Sequence, residues 1–276
     1  MSGVKPRKLL IVICSLAGAY LCLAILVAFC QRKLMYQPTR FAPGSLDKVA
    51  MGHGLRPWTN STAQRIGWYR PAAKPAATGT VLVVHGNAGS AIDRLDFVDG
   101  LQGAALFHVY VLEYPGYGER DGSPSQESIL RTAAEGLELL TNAGPVFVLG
   151  ESLGTGVAAW LAGTYSNAIS GVMLFCPYNN MTDVAQHHMS IFPVRWILRD
   201  RYPSEEWLKN YRGPVGFVLV TDDVVVPARF GHQLYSGYSG PKKLWQLDDC
   251  GHNDACLRPA EWWLELVTLW RENAPR

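Results

Sequence analysis

Pro145-Val146-Phe147-Val148-Leu149-Gly150-Glu151-Ser152-Leu153-Gly154 runs from a buried-strand pattern straight into a glycine-flanked serine. The Ala/Trp/Leu-rich stretch that follows, 154–165, has the periodicity of a helix. A G-x-S-x-G pentapeptide between a strand and a helix predicts a nucleophile elbow. Its two glycines remove Cβ atoms that would clash in so tight a reversal, and the serine is held in strained backbone with its hydroxyl clear of the sheet.

Working outward, apolar strand-like runs at 65–69, 80–85, 107–113, 146–150, 171–176, 215–221 and 243–247 alternate with helical patterns at 91–101, 126–142, 154–165, 228–235 and 259–272. Such alternation predicts an α/β fold: a mostly parallel central sheet with helices on both faces and functional groups at the carboxyl ends of strands. One segment breaks the rhythm. Residues 179–212 carry Trp196, Ile197, Leu198, Tyr202 and Trp207 in an amphipathic pattern too long for a plain connection, and they predict a small helical cap.

The N-terminal part differs in kind. Residues 9–30 carry no charge, and at about 1.5 Å rise per residue they match roughly the hydrocarbon core of a bilayer. Lys5, Arg7 and Lys8 precede this run, and Arg32 and Lys33 close it. It is longer than a signal-peptide core, and Phe29 stands where a cleavage or lipoprotein site before Cys30 would need a small residue. The division expected is an uncleaved membrane anchor over 1–33, a Pro/Gly-rich juxtamembrane linker over 34–60 and the catalytic domain over 61–276. The flanking charges nearly balance and lean only slightly towards a catalytic domain on the non-cytoplasmic side.

Up to residue 50 there are seven basic residues against Asp47 alone, whereas the remainder carries a net charge of −4. An acidic domain without a basic stripe argues against nucleic acid as a partner, and the basic flanks suit anionic lipid headgroups. Cys14, Cys22 and Cys30 fall in the anchor and Cys176, Cys250 and Cys256 in the domain. Three domain cysteines make no disulfide framework, so idle thiols are expected, with a Cys250–Cys256 bridge as the alternative. Histidine and cysteine spacing resembles no zinc site, and no cofactor or metal is implied.

A serine hydroxyl needs a base within hydrogen-bond reach and a third group to fix that base's tautomer. Among His187, His188, His232 and His252, the last follows a strand-like run in a turn sequence, Cys250-Gly251-His252-Asn253-Asp254, suited to presenting a ring on the catalytic face. His187 and His188 lie in the expected cap and His232 in a helical pattern. The acid is Asp222 or Asp223, both closing the strand at 215–221; side chains alternate there, so only one can face His252. For the oxyanion, one amide donor is Leu153 and the second is Asn87, in His85-Gly86-Asn87-Ala88-Gly89-Ser90. Glu113-Tyr114-Pro115-Gly116-Tyr117-Gly118 reads as a scaffold turn walling the site.

These motifs, with Pro177-Tyr178-Asn179, Asp223-x-x-x-Pro227 and Gly251-His252-Asn253-Asp254, stand in the order and at the spacing of a known family. Over about residues 34–274 the chain resembles the α/β-hydrolase superfamily, in its membrane-anchored, abhydrolase-domain branch. The resemblance selects Asp223 over Asp222. It implies an ester or thioester hydrolase with Ser152 as nucleophile, His252 as base and Asp223 as orienter, acting on a small-molecule or protein-linked acyl group. Val220 departs from the pattern, since the family usually has glycine three residues before the acid. The other readings are a serine peptidase of the same fold and a non-catalytic, hydrolase-like binding protein. The absence of aspartate at the nucleophile position argues against haloalkane chemistry.

Overall fold

The computed structural model describes residues 6–74, 77–141 and 144–273; Lys5 and Asn142 of the expected flank and helix lie outside them. The chain opens with α1 (Pro6–Met35), then β1 (Gln37–Pro38), α2 (Asp47–Gly52), β2 (Arg56–Thr59), β3 (Arg65–Arg70), β4 (Gly79–Val84) and β5 (Ala88–Gly89). A 3₁₀ turn (Ala91–Arg94) leads into α3 (Leu95–Ala104), followed by β6 (Phe107–Leu112), α4 (Gln126–Leu140), β7 (Val146–Glu151), α5 (Leu153–Thr164) and β8 (Gly171–Phe175). Three short helices, α6 (Met181–His188), α7 (Val194–Ile197) and α8 (Ser204–Leu208), precede β9 (Val215–Val220), α9 (Ala228–Gly237), β10 (Lys242–Leu247) and α10 (Ala260–Asn273).

Eight strands form one sheet in the order β10-β9-β8-β7-β4-β6-β3-β2, parallel from β10 to β6 and antiparallel at β3 and β2. β4 is buried along its whole length, as a central strand covered on both faces must be. Its alternate residues divide between two cores. Leu82 and Val84 pack with Ile129, Ala133 and Leu137 of α4 and Val157 and Leu161 of α5. Val81 and Val83 pack with Phe97 and Leu101 of α3 and Trp263 and Trp270 of α10. The apolar positions of α4 recur at i, i+4 and i+8 on the face turned to the sheet, and its start is capped by Ser125, whose hydroxyl accepts the Ser128 N–H at 3.1 Å.

The stretch expected as an irregular linker, 34–60, is part of the domain, which corrects that expectation. β2 pairs with β3 at the sheet edge and buries Trp58, while β1 pairs in parallel with β5. Strands of two and four residues are too short to show a periodicity, and the Pro and Gly residues read as linker composition fall partly in the turns (Pro43, Gly44, Gly54) and partly in the short elements themselves (Pro38, Gly52, Pro57). The expected cap is also narrower than 179–212. α8 packs against α5 on the sheet, with Trp207 backbone lying where a side chain on Gly163 would be. α6 and α7 alone overlie the site.

α1 is long and apolar enough to cross a membrane by length and composition. No Pro or Gly interrupts it after Gly18, and it runs on through Arg32 and Lys33 to Met35 at the domain. Its C-terminal turns dock on the insertion between β8 and β9. Arg32 donates to both carboxylate oxygens of buried Asp200, at 3.0 and 3.2 Å. The Tyr36 hydroxyl donates to Asp200 at 3.0 Å and lies 3.0 Å from the Tyr202 hydroxyl. Gln31 donates to the Ile197 carbonyl and accepts from the Arg199 N–H. Asp200→Ala removes the shared acceptor, and truncating one partner of a buried polar group costs about 1–3 kcal/mol. The full-length protein in detergent is expected to melt several degrees lower, since about 2–4 °C accompanies each kcal/mol at this size. An unchanged melting temperature contradicts this docking.

Candidate active site

Ser152 sits where β7 hands over to α5, at φ 50° and ψ −116°, a conformation a non-glycine residue adopts only under constraint. The constraint is packing. A Cβ on Gly150 would stand 2.6 Å from the Gly154 carbonyl oxygen, and one on Gly154 would stand 2.7 Å from the His85 carbonyl oxygen. Both lie well inside van der Waals contact, so the strand, the helix and the loop after β4 close on the serine only because those side chains are missing.

Three distant parts of the chain converge on it. His252 Nε2 lies 3.0 Å from Ser152 Oγ, and His252 Nδ1 lies 2.6 Å from Asp223 Oδ2. With Nδ1–H donating to the carboxylate, Nε2 is left as the acceptor for the serine proton. The other Asp223 oxygen accepts the N–H groups of Val225 and Val226, each at 2.8 Å. Burial alone would raise the Asp223 carboxyl. The hydrogen bond from His252 and those two amides outweigh it, and the group stays below its ordinary value. Asp222 is exposed. Val220 is a buried strand residue paired with Leu247, without positive φ, and the turn after it still carries Asp223 to His252.

The loop after β4 is held from both sides. Glu151, the first of the two variable residues of the pentapeptide, accepts the Gly86 N–H at 3.1 Å and pairs with Arg94 at 2.5 Å. Tyr114 and Tyr117 donate to the carbonyls of His85 and Asn87, each at 2.8 Å, and the buried His85 ring packs 4.0 Å from that of Tyr114. The expected scaffold turn therefore braces the loop as well as walling the site. Asn87 is also tied to α1: its side chain donates to the Met35 carbonyl and its own carbonyl accepts the Gln37 N–H. Among the described residues, the N–H groups of Asn87 and Leu153 have no protein acceptor, and both residues border the same cavity as Ser152.

That cavity is about 360 Å³ and predominantly apolar. Cap residues of α6 and α7 form one wall, Val224–Val226 after the acid a second, and Val27, Leu34 and Met35 of α1 a third. The contribution of α1 was not foreseen from the sequence, where the anchor was read as separate from the domain. The signal was present, because nothing in the sequence breaks the helix between the apolar run and Met35. His188, in the expected cap, lines the cavity and its Nε2 lies 2.8 Å from the Val225 carbonyl oxygen, joining cap to acid loop. His187 is exposed, and His232 lies on α9.

Cys176, Asp223 and His252 offer ligand atoms within 4.8 Å of one another. Both ring nitrogens of His252 are engaged by Ser152 and Asp223, and burial pushes the Cys176 thiol well above its ordinary value. A protonated thiol is a poor ligand, and this one faces the His252 carbonyl at 3.7 Å. Cys250 and Cys256 are unbridged.

Residues 79–206 match the sequence profile of the alpha/beta hydrolase fold. An uncharacterized protein of Mycobacterium tuberculosis is 30% identical over 230 residues, 81% of each chain. The lysophosphatidylserine lipase ABHD12 of Danio rerio is 28% identical over 211 residues, which are 68% of this chain and 54% of the lipase, so the chain spans about half of that relative. Among solved structures, the Pyrococcus furiosus esterase Pf2001 superposes with a TM-score of 0.64 at 14% identity, covering 87% of this chain and 98% of the esterase. At that identity the likeness is one of fold.

The depressed Asp223 value has a measurable consequence. The ionised carboxylate stabilises the folded chain above the ordinary value near about 4, and this contribution is lost as the pH falls through the lower folded value. Asp223→Asn is therefore expected to be less stable than the natural protein at neutral pH, with the gap closing below about pH 4. Denaturant unfolding of both full-length proteins in detergent checks this, and a gap independent of pH contradicts it.

Proposed function

The chain belongs to the α/β-hydrolase family, in its abhydrolase-domain branch, and from that premise we propose that it is a membrane-anchored serine hydrolase cleaving acyl esters or thioesters. The observation that carries the reading is the hydrogen-bonded series Asp223–His252–Ser152 opening on an apolar cavity. His252 takes the Ser152 proton as Oγ attacks the acyl carbonyl, and Asp223 holds the ring in the required tautomer and stabilises the imidazolium. The oxyanion is received by the Asn87 and Leu153 amides, the latter at the positive end of α5. His252 returns the proton to the leaving alcohol or thiol. Water, activated by the same ring, then releases the acid from the acyl-enzyme.

An acyl substrate fits the cavity better than a peptide does. Its walls are mostly Val, Leu, Ile, Met and Ala side chains, with Gln31, Asn87 and His188 as the polar exceptions beside Ser152, so they bind hydrocarbon and provide few partners for a peptide's N–H and C=O groups. The relative named as a lysophosphatidylserine lipase supports acyl-ester cleavage in the same direction.

Hydrolysis of p-nitrophenyl esters by the full-length protein tests the reading. Ser152→Ala is expected to lower kcat by about 10⁴-fold or more. Asp223→Asn, which keeps the shape but loses the tautomer control, is expected to lower it by about 10⁴-fold. Turnover by Ser152→Ala at the rate of the natural protein contradicts a serine nucleophile, and a natural protein no faster than buffer returns the non-catalytic reading.

A further inference from the structure

The cap extends away from the domain along α1. The Tyr20 hydroxyl donates to the Ile191 carbonyl at 2.8 Å, the Tyr20 ring stacks on Phe192, and Ala24 is buried among Phe192, Val194 and Leu198. Tyr20 lies ten residues before Cys30, where the uncharged run ends. At about 1.5 Å per residue this is roughly 15 Å, or half of a hydrocarbon core of about 30 Å. If α1 spans a bilayer, whatever is fastened to Tyr20 lies near its midplane. The cap segment 189–198 cannot then be in water.

Its surface agrees with that position. Ile191 is 70% exposed, Trp196 87% and Val224 81%. Large apolar side chains exposed together to this degree mark a surface that meets something apolar. Where the apolar run ends, the character changes within one turn: Arg32, Lys33 and Arg199 are exposed around Gln31, which bonds to both Ile197 and Arg199. A basic collar at the base of an apolar wedge matches anionic headgroups above hydrocarbon. Arg195, nearer the tip, is paired with Asp183.

We infer that α7 and the segment joining it to α6 form a wedge embedded in one leaflet, and that acyl chains reach Ser152 sideways from that leaflet. The cavity has the composition required of such a path, because Val27 and Leu34 of α1 and Val194, Ile197 and Leu198 of the wedge line it together with Ser152. The substrate class that follows is a lipid resident in the membrane, its chain in the cavity and its ester carbonyl at headgroup depth, level with the collar. This inference rests on the serine-hydrolase reading for its chemistry, whereas the depth of the wedge stands independently.

Two measurements on the full-length protein in phosphatidylcholine–phosphatidylserine vesicles test it. Ile191→Asp combined with Trp196→Asp, neither of which lines the cavity, is expected to slow hydrolysis of 1-oleoylglycerol carried in the vesicles by at least tenfold. Hydrolysis of water-soluble p-nitrophenyl acetate by the same variant should stay within about twofold, which also reports that it has folded. Equal effects on both substrates, or no effect on either, overturns lateral entry. Should the double variant fail to fold, a benzoylphenylalanine photo-cross-linker at position 191 carries the test: adducts to lipid are expected, and their absence, or adducts to a second copy of the chain instead, overturns the wedge. Lipid adducts in a protein that hydrolyses neither ester would leave the wedge standing and remove the hydrolase reading alone.

Discussion

The strained backbone of Ser152 is the constraint on which the site depends. A residue at φ 50° and ψ −116° costs of the order of 1–3 kcal/mol and persists only where its surroundings over-determine it. Here the surroundings are β7 on one side, the first turn of α5 on the other and the loop after β4 beneath, with Gly150 and Gly154 making the contacts close enough. The strain is offset by burial throughout the β4–β7–β8 centre of the sheet. The return is geometric: a hydroxyl at a strand's end with a helix N-terminus beside it, facing an imidazole whose position is set by β10 and an acid whose position is set by β9.

The loop that offers the Asn87 amide depends on a second set of contacts. Glu151 and Arg94 hold it from the nucleophile side, Tyr114 and Tyr117 from the scaffold turn, and the end of α1 from outside. The last of these is the least expected. α1, long and apolar enough to cross a membrane, passes directly into β1, which pairs with β5, and the Met35 carbonyl at its end accepts a hydrogen bond from the Asn87 side chain. The Arg32–Asp200–Tyr36 cluster and the Asn87 side chain thereby join α1 to the cap and to the loop beside Ser152.

Much of this was legible in the sequence, and what was not has identifiable physical causes. The elbow, the central strands and His252 were readable because each rests on local constraints: period-2 or 3.6 burial, glycines required by close approach, and a turn at a strand's end. Asp223 over Asp222 was not decidable from alternation, because the turn after Val220 sets which carboxylate faces inward. β1 and β2 were missed because two to four residues show no periodicity. The role of α1 in lining the cavity depends on contacts between residues separated by more than 160 positions, such as Gln31–Ile197 and Arg32–Asp200. Composition carries no trace of those pairings, although the uninterrupted helical sequence up to Met35 was compatible with them.

The proposed hydrolase rests on the activation of one serine, Ser152, by its surroundings. The most direct measurement is reaction of the full-length protein with a fluorophosphonate, followed by peptide mapping by mass spectrometry. A single phosphonyl adduct is expected, on Ser152, abolished when His252 is replaced by alanine. Labelling that leaves Ser152 unmodified, or that proceeds unchanged without His252, would contradict it.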